Sequence, residues 1–360
     1  MPNLSKKTAL YDRHSALGAK LVEFAGWMMP LQYRGIIPEH QAVRQRAGIF
    51  DVSHMGRINV EGTDAEKALD FLSTNKIAGK QGNSATYTVW CHPEGGAVDD
   101  VIIYKKDATH FFLIVNASNR QKDLDHLLAN TKKFNIAVQD RYATDGILAV
   151  QGPQAVALAA PILPQVQEVP SMHFVETVYE GDSIILSGTG YTGAGGFEIY
   201  GPNAAIVKLW DRLTNAGIPP VGLGARDTLR LEMGYALYGH ELSDAIAPVE
   251  SVSAWTVKLN KPEFLGRSAL QSLNQSPLKR SQHALVMVDK GIPREGYEVF
   301  QNGQKIGAIT SGTQSPTLNQ GIGIVLSKKP LQPEDIVEVQ IRDHAAKAKV
   351  TTLPFIGAKK

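Results

Sequence analysis

Cysteine is almost absent from this sequence, since Cys91 is the single one in 360 residues. One thiol excludes an internal disulfide and any cysteine-rich zinc or iron–sulfur site, and it fits a reducing compartment. Long apolar runs are missing as well, because no stretch approaches the ~20 residues that a membrane-spanning helix needs. We therefore expect a protein without disulfides that does not cross a membrane.

An excess of one charge is also lacking. The chain has 37 Lys and Arg against 35 Asp and Glu, a formal net charge of +2. No dense basic stripe interleaved with aromatic residues occurs, so nucleic acid is not an expected partner. The first residues include basic ones but no apolar block after them, unlike a signal or transit peptide. We expect a cytoplasmic protein, or a mitochondrial matrix protein if the chain is a trimmed eukaryotic one.

The composition that remains is that of a globular protein, with 43% hydrophobic and 20% charged residues. The length suits two or three domains. Apolar runs at residues 87–90, 101–104 and 111–115 predict three strands, and Asn116 and Asn119 fit the N-terminal cap of a following helix. Strands followed by a helix indicate an α+β fold.

Helix and linker signals continue this pattern. A capping box formed by Thr63 and Glu66 predicts a helix that begins near residue 65. A segment rich in Ser, Gln and Leu, residues 268–281, is typical of a linker. Beyond it, Asn302-Gly303 is a strong hairpin signal, and five short strands are expected near residues 284–288, 297–300, 305–309, 323–326 and 336–341. Such a tail predicts a small β-barrel or jelly-roll domain.

Chemistry is concentrated between residues 90 and 105. A turn at Gly95-Gly96 leads to Asp99 and Asp100, and a β-branched and aromatic run follows. Successive strand residues face opposite sides, so one carboxylate should point away from the other. Taken alone, this pattern is more often a pair of solvated turn residues than a catalytic pair.

Two other stretches need interpretation. Residues 188–193 match the G-x-G-x-x-G dinucleotide pattern, but an alternating strand at residues 197–200 follows instead of the helix that would hold a pyrophosphate, so we reject a Rossmann site. Residues 222–230 predict a helix on which Arg226 and Arg230 share one face. Ordinary pairing with nearby acids remains an open interpretation for both arginines.

The motifs, taken together and in order, resemble one family along nearly the whole chain: the T protein of the glycine cleavage system, a tetrahydrofolate-dependent aminomethyltransferase. The matching segments are residues 24–33 (F-A-G-W-M-M-P-L-Q-Y), 48–55 (G-I-F-D-V-S-H-M), 94–100 (E-G-G-A-V-D-D), 189–198 (T-G-Y-T-G-A-G-G-F-E), 222–232 (G-L-G-A-R-D-T-L-R-L-E) and 309–318 (I-T-S-G-T-Q-S-P-T-L). Several long motifs are a specific signal, unlike the isolated glycine pattern.

The resemblance implies a three-domain clover-leaf around a central folate cavity. Its discontinuous first domain would comprise residues 1–52 and 142–270, with an inserted α+β domain at 53–141 that carries the catalytic Asp and a C-terminal β-barrel or jelly-roll-like domain at 280–360. The implied reaction takes the aminomethyl group from the lipoyl arm of the H carrier protein, releases ammonia and forms 5,10-methylene-tetrahydrofolate. Other glycine cleavage components are the further expected partners, and no metal is expected.

The resemblance also implies roles for individual residues. Asp100 matches the catalytic acid, with Asp99 as its support. Glu198 matches the carboxylate that binds the pterin ring, because it can accept two parallel hydrogen bonds from the ring amide and the exocyclic amine. Arg226 matches a folate-contacting arginine. The remaining expected cavity-lining residues, for which ordinary core packing is the alternative, are Tyr87, Asn116, Tyr191, Met55 and Trp255.

The sequence departs from the family pattern in two places. The tail P-F-I-G-A-K-K, residues 354–360, lacks a clear match to a polar C-terminal folate contact of the family. The other departure is the loss of a loop acid. Ala194 stands where the T-G-Y-T-G-E loop of the family has an acid, so any hydrogen bond of that acid is lost while Glu198 is retained. Two other functions compete with the main hypothesis: a folate-dependent demethylase on the same fold, and a non-enzymatic folate-binding factor. Cys91 lies outside the cysteine motif of the latter, which makes that alternative the weaker one.

Overall fold

The structure is a computed structural model that describes residues 5–274 and 278–357. The helices in these ranges are α1 (Tyr11–Ala16), α2 (Ile36–Gln45), α3 (Ala65–Leu72), α4 (Arg120–Asn130), α5 (Ala155–Ala159), α6 (Asn203–Asn215), α7 (Leu223–Glu232) and α8 (Arg267–Asn274). Short 3₁₀ turns lie at Pro164–Glu168, Pro248–Glu250 and Ala254–Thr256. None of the helices in the described ranges is long and apolar enough to cross a membrane.

The strands of the described ranges make the structure rich in β-sheet. They are β1 (Lys6–Lys7), β2 (Lys20–Phe24), β3 (Trp27–Gln32), β4 (Gly48–Asp51), β5 (Gly56–Glu61), β6 (Ser84–Cys91), β7 (Ala97–Lys105), β8 (His110–Val115), β9 (Ala137–Asp140), β10 (Asp145–Gln151), β11 (Phe174–Tyr179), β12 (Asp182–Ser187), β13 (Gly196–Pro202), β14 (Ser281–Met287), β15 (Glu298–Gln301), β16 (Gln304–Ser315), β17 (Gln320–Ser327), β18 (Ile336–Ile341) and β19 (His344–Thr351).

These strands form two five-stranded sheets, a closed barrel and a small three-stranded sheet. One large sheet has the order β11-β12-β13-β10-β4, and the other has the order β6-β7-β8-β5-β9. The barrel has the order β14-β17-β16-β15-β18-β19, and β1, β3 and β2 form the small sheet. Each of the three larger units has its own apolar core, represented by Trp210, Trp90 and Val325. The α+β prediction is confirmed.

The barrel has one strand more than the sequence predicted. All five predicted strands of the tail occur, and β19 is the sixth. In β19, Ala346, Ala348 and Val350 face the core while Lys347 faces outward. Alanine and lysine have low strand propensity. Because most of the inward side chains of β19 are alanines, the apolar–polar alternation typical of a strand was not visible in the sequence. Closure of the barrel, which removes exposed edges, depends on this strand pairing with β14 and β18.

Two predicted helix caps are wrong, although their helices occur. At α3 the N-cap residue is Asp64, and no side chain caps the helix. Glu66 instead accepts a hydrogen bond from the backbone N–H of Gly79 and pairs with Lys105. At α4 the N-cap residue is Asn119, again without a side-chain cap, because its side chain is used elsewhere.

The predicted linker is partly helical. Residues 267–274 form α8, whose Leu270 is fully buried against the segment that follows α7. Residues 275–277 of the predicted linker lie outside the described ranges, as do residues 1–4 and 358–360 of the outer predicted domains. The three apolar cores are compatible with three domains, and the predicted domain boundaries stay predictions.

Tight backbone packing explains the paired glycines before the two aspartates. Gly95 has φ +95°, a left-handed conformation that favours glycine. At Gly96 a Cβ atom would lie 1.9 Å from the carbonyl oxygen of Asp244. The β6–β7 hairpin is thus seated directly on the segment that follows α7, which fixes the start of β7 relative to the rest of the molecule.

Helix α7 connects the first large sheet with the barrel. Arg230 pairs with the buried Glu241 at 2.9 Å and donates to the Ser311 hydroxyl of the barrel at 2.9 Å. Glu232, at the end of the helix, accepts a hydrogen bond from Ser315 of the barrel at 2.5 Å. Arg230 therefore pairs with an acid, the interpretation that the sequence left open, and it attaches α7 to the barrel. Arg226 lies one turn earlier on the same helix.

Candidate functional site

Asp99 and Asp100 point to opposite sides of β7, as the strand alternation predicted. Asp99 is fully buried, whereas Asp100 is partly exposed. Asp100 lies opposite Val89 on β6, so Tyr87, two residues earlier on the same face, lies diagonally across from it. The Tyr87 hydroxyl donates to Asp100 Oδ2 at 3.0 Å. Neither aspartate is a solvated turn residue.

The second donor to Asp100 comes from the neighbouring strand. Asn116 directly follows β8, and its Nδ2 donates to Asp100 Oδ1 at 3.0 Å. Burial, followed by the charge of Asp99, raises the pKa of Asp100 to about 7, because both effects disfavour a second negative charge. Near neutral pH the Asp100 carboxyl can therefore exist in either protonation state, as acid–base chemistry requires.

An aromatic stack lies beside Asp100. The 3₁₀ turn Ala254–Thr256 packs against β6 and brings Trp255 over Tyr87, with 5.7 Å between the ring centroids and an interplanar angle of 24°. Trp255 is 59% exposed, which is unusual for so large an apolar side chain. The Tyr87 hydroxyl also lies 3.3 Å from the Ser253 hydroxyl. A flat, partly open aromatic surface thus borders the acid.

Glu198 lies on β13 in the first large sheet. One of its carboxylate oxygens accepts hydrogen bonds from neighbouring side chains, and the other has no donor among the described residues. Its Oε2 accepts hydrogen bonds from Tyr200 at 2.6 Å and from Thr189 at 2.5 Å. No donor to Oε1 is found in the described part of the chain. Glu198 is only 7% exposed, and a carboxylate oxygen without a donor in so enclosed a residue suits a ligand that brings N–H groups.

Arg226 lies on the first turn of α7 and is within electrostatic range of Glu198. Its guanidinium group lies 4.7 Å from the centre of the Tyr191 ring. Burial lowers the pKa of Arg226, while Tyr191 and the Glu198 carboxylate act in the opposite direction. Its Nη1 is buried and has no hydrogen-bond partner in the described ranges. An unsatisfied buried guanidinium nitrogen is costly, and a ligand oxygen would relieve that cost.

Tyr191 joins the two halves of the site. Its hydroxyl donates to the carbonyl oxygen of Ala236, and its ring stacks on Tyr235. Burial raises the pKa of Tyr191, and the charges of Arg226 and Asp100 both act on it. The group around Glu198 and the group around Asp100 therefore lie within electrostatic range of a single tyrosine.

Most of the predicted site residues are thus brought together. Met55 is half-buried and packs with the apolar cluster that contains Phe50, Ala225 and Tyr200, so its role as a cavity-lining residue stays a prediction. Ala194 belongs to the same cluster and is 3% exposed. The position where the family has an acid is therefore apolar in this chain.

Sequence reasoning missed three polar residues near the site. His54 is buried, its Nδ1 has no partner in the described ranges, and burial with the charge of Arg226 lowers its pKa to about 4. Ser253 meets Tyr87, and Tyr200 holds Glu198. His54 lies within a matched motif, so its sequence position was a signal, whereas Ser253 and Tyr200 carried none.

Two models of known protein families match this chain. The GCVT N-terminal domain matches residues 10–261, and the glycine cleavage T-protein C-terminal barrel domain matches residues 280–356. Together these two matches cover most of the chain. The chain belongs to the glycine cleavage T-protein family. The predicted resemblance is confirmed.

Individual relatives agree with the family. A curated aminomethyltransferase of Chlorobaculum tepidum is 44% identical, with 98% of this chain and 99% of the relative covered. One of Desulforamulus reducens is 42% identical, with 97% and 98% covered. The crystal structure of glycine cleavage system aminomethyltransferase T from Bartonella henselae matches with a TM-score of 0.93 at 31% identity, covering 99% of each chain. The enzyme class, an aminomethyltransferase of the glycine cleavage system, is as predicted.

Proposed function

We propose that this member of the family binds tetrahydrofolate and passes to it the aminomethyl carbon carried on the lipoyl arm of the H carrier protein. The observation that carries the proposal is a set of three residues around Tyr191: Glu198 and Arg226 have unused hydrogen-bonding atoms, and Asp100 has a pKa raised to about 7. The other glycine cleavage components are proposed as further partners, in the cytoplasm or the mitochondrial matrix.

The transfer balances without an outside oxidant. The carbon–sulfur bond to the lipoyl arm and the carbon–nitrogen bond to the amine both break. Two new carbon–nitrogen bonds form to N5 and N10 of the folate. The two N–H protons of the folate end on ammonia and on the lipoyl thiol. No metal is needed for this exchange of bonds, which leaves the chain to bind, orient and move protons.

Glu198 is the proposed pterin ligand. Tyr200 and Thr189 hold its Oε2, so the carboxylate cannot rotate freely. The fixed carboxylate can then offer its remaining acceptor positions to the ring amide and the exocyclic amine. The residues present therefore fit the folate ring, and the binding orients its reactive nitrogen.

Arg226 is proposed to donate to a carbonyl or anionic group of the folate. Its Nη1 is unpaired among the described residues, and its guanidinium group lies within electrostatic range of the Glu198 carboxylate. A folate ring presents the complementary pair of groups. The exposed stack of Tyr87 and Trp255, with Tyr191 and Met55, is proposed to supply the apolar walls of the same cavity.

Asp100 is the proposed catalytic residue. Tyr87 and Asn116 fix its two oxygens on the open side of β7. From there the carboxylate would stabilise positive charge that develops on the transferred carbon and would accept or return a proton. Asp99, on the buried side, holds Asn116 through both its backbone and side-chain N–H groups.

The predicted division into domains is proposed again for this chain: residues 1–52 and 142–270, residues 53–141, and residues 280–360. Three separate apolar cores support this division. The proposed site takes Glu198 and Arg226 from the first unit and Asp100 from the second. A site shared between units would allow small relative movements to open it for the carrier arm.

Ammonia release from an aminomethyl-loaded lipoyl carrier tests the proposal. The purified chain should release ammonia in a tetrahydrofolate-dependent manner and yield one 5,10-methylene-tetrahydrofolate per ammonia. Release at the same rate without folate would contradict the role of folate. Folate binding with no ammonia release under any condition would favour the non-enzymatic alternative.

A further inference from the structure

Behind the site lies a buried acid whose environment differs from that of every other carboxylate near Asp100. Asp123 lies on α4 and is fully buried. Neither of its carboxyl oxygens has a nitrogen or hydroxyl donor within hydrogen-bonding distance in the described ranges. An ionised carboxylate without donors in such a place would cost several kcal/mol, so the group stays neutral unless it is compensated.

The polar group that meets Asp123 is the carboxyl of Asp99, with which it is in hydrogen-bond contact. Burial, and then the charge of Asp99, raises the pKa of Asp123 to about 11. The other charges that act on it are Lys122, on the same helix, and Asp100. Since two adjacent acids cannot both ionise in a buried site, Asp123 keeps its proton and donates a hydrogen bond to Asp99.

Asp99, unlike Asp123, accepts hydrogen bonds from several N–H donors. Its Oδ2 accepts from the backbone N–H of Asn116 at 3.0 Å, and its Oδ1 accepts from the side chains of Asn116 and Asn119 at 2.9 and 2.6 Å. Burial raises the pKa of Asp99, and these three N–H donors act in the opposite direction, so Asp99 ionises more readily than Asp123, which has no such donors among the described residues. The pair is therefore asymmetric, with an acid on the helix and an anion on the strand.

Asn116 connects this pair to the open side of the sheet. Its Nδ2 lies 2.9 Å from Asp99 Oδ1 and 3.0 Å from Asp100 Oδ1. An amide nitrogen has two hydrogens, so it can serve both carboxylates at once. The order of contacts runs from Asp123 to Asp99, then to Asn116, and then to Asp100.

We propose that Asp123 is a positioning residue for the transfer reaction: as a neutral acid it donates one hydrogen bond to Asp99, which then holds Asn116 and, through it, the Asp100 carboxylate. The proposal rests on the proposed role of Asp100. Asp123 touches no substrate in this arrangement. Its loss should therefore slow the chemical step and leave folate binding almost unchanged.

The test compares two substitutions of equal size that differ in the donor. In Asp123→Asn a neutral amide can still donate to Asp99, whereas Asp123→Leu has no donor. We expect Asp123→Leu to lower kcat by about tenfold or more, with KM for tetrahydrofolate within about threefold of wild type. Asp123→Asn should keep kcat within about threefold. Asp125→Leu, an exposed position of the same helix, is the matched control.

Two kinetic results would overturn the proposal. One is a folded Asp123→Leu variant, judged by circular dichroism and melting temperature, that has wild-type kcat. The other is an Asp123→Asn variant as slow as Asp123→Leu, because the donor would then not be what matters. If KM of Asp123→Leu rises while its kcat is unchanged, the residue acts in binding instead of positioning.

A spectroscopic measurement decides the matter if Asp123→Leu does not fold. Infrared difference spectra of wild type and Asp123→Asn at pH about 9, where Asp100 is ionised, should show one protonated carboxyl band that is lost in the variant. Absence of that band in wild type would contradict the proposal. The spectrum needs neither folate nor carrier, so its failure is distinct from failure of the proposed reaction.

Discussion

At the scale of single residues, the site depends on which hydrogen-bonding atoms are already used. Glu198 has one occupied oxygen and Arg226 has one unpaired nitrogen among the described residues, while Asp100 has a partner on each oxygen. The first two are thus suited to holding a ligand, and the third is suited to staying in one place. The motifs predict these roles, and the roles stay predictions.

Replacing Glu198 by Gln should weaken tetrahydrofolate binding by about 10- to 100-fold. One acceptor becomes a donor that faces the donors of the ring, and an unsatisfied buried group costs about 1–3 kcal/mol. Calorimetry measures the effect. Glu176→Gln, at an exposed glutamate of β11, is the matched control and should bind as wild type does. Equal affinity of Glu198→Gln and the control would remove Glu198 from the pterin site.

The pH dependence of turnover should report Asp100. If the carboxylate is the active form, kcat/KM falls as the pH drops through about 7, the pKa that burial and Asp99 give to Asp100. This fall in kcat/KM at acidic pH should be absent from Asp100→Asn, because the variant has no carboxyl group at this position. A wild-type profile that stays flat from pH about 6 to about 8 would contradict the assignment.

At the scale of elements, the hairpin of β6 and β7 delivers both aspartates because of the contacts at its turn. We expect Gly96→Ala to destabilise the protein by about 1–3 kcal/mol, since the added Cβ would lie 1.9 Å from the Asp244 carbonyl oxygen and the backbone must shift. Gly357→Ala is the matched control because its Cβ meets nothing within 4 Å. Thermal unfolding of both variants checks this, and equal melting temperatures would show that the turn has room.

Some features of the helices and strands could be predicted from the sequence, and others could not. Periodicity and motif order predicted the α+β class, the strand alternation that separates Asp99 from Asp100, and the strand after the glycine loop. Local cap rules failed at α4, because Asn119 was assigned to its own helix and instead donates to Asp99 twenty residues away. A tertiary carboxylate competed with the helix end, and no local pattern contains that information.

The same limit explains the residues that were missed. Asp123 occupies a helical position with the spacing of any other acid, and only the packing of α4 against β7 reveals that it meets a second acid. Strand β19 was hidden because its inward side chains are mostly alanines. Burial of a polar group and closure of a barrel are properties of the assembled chain.

At the scale of the whole molecule, one buried glutamate ties the body to the barrel. Glu232 contacts His40 and Arg44 from α2 and accepts hydrogen bonds from Ser315 and Thr317 of the barrel. The pKa of Glu232 is lowered to about 2: burial raises it, but the hydrogen bonds with His40 and Ser315 and the charges of His40 and Arg44 outweigh that effect. Stability from this group is therefore fully present above the unfolded pKa of 4.5 and is lost as the pH falls toward about 2.

Glu232→Ala should therefore destabilise the protein by about 3–5 kcal/mol, because a cation and two hydroxyl groups lose a buried partner. Chemical denaturation measures this loss. Glu298→Ala, which removes a surface pair with Lys305 on the same barrel, should cost at most about 1 kcal/mol. Similar losses in the two variants would mean that the barrel is held mainly by apolar contacts.

The most direct test of the whole account is the rate of tetrahydrofolate-dependent ammonia release by Asp100→Asn with a loaded lipoyl carrier. We predict a loss of about 100-fold or more in kcat, with folate affinity within about threefold. The melting temperature at neutral pH should be no lower than that of wild type, because a raised carboxyl pKa means that ionisation of Asp100 lowers stability as the pH rises from 3.8 to about 7. Wild-type turnover in a folded Asp100→Asn enzyme would contradict the account.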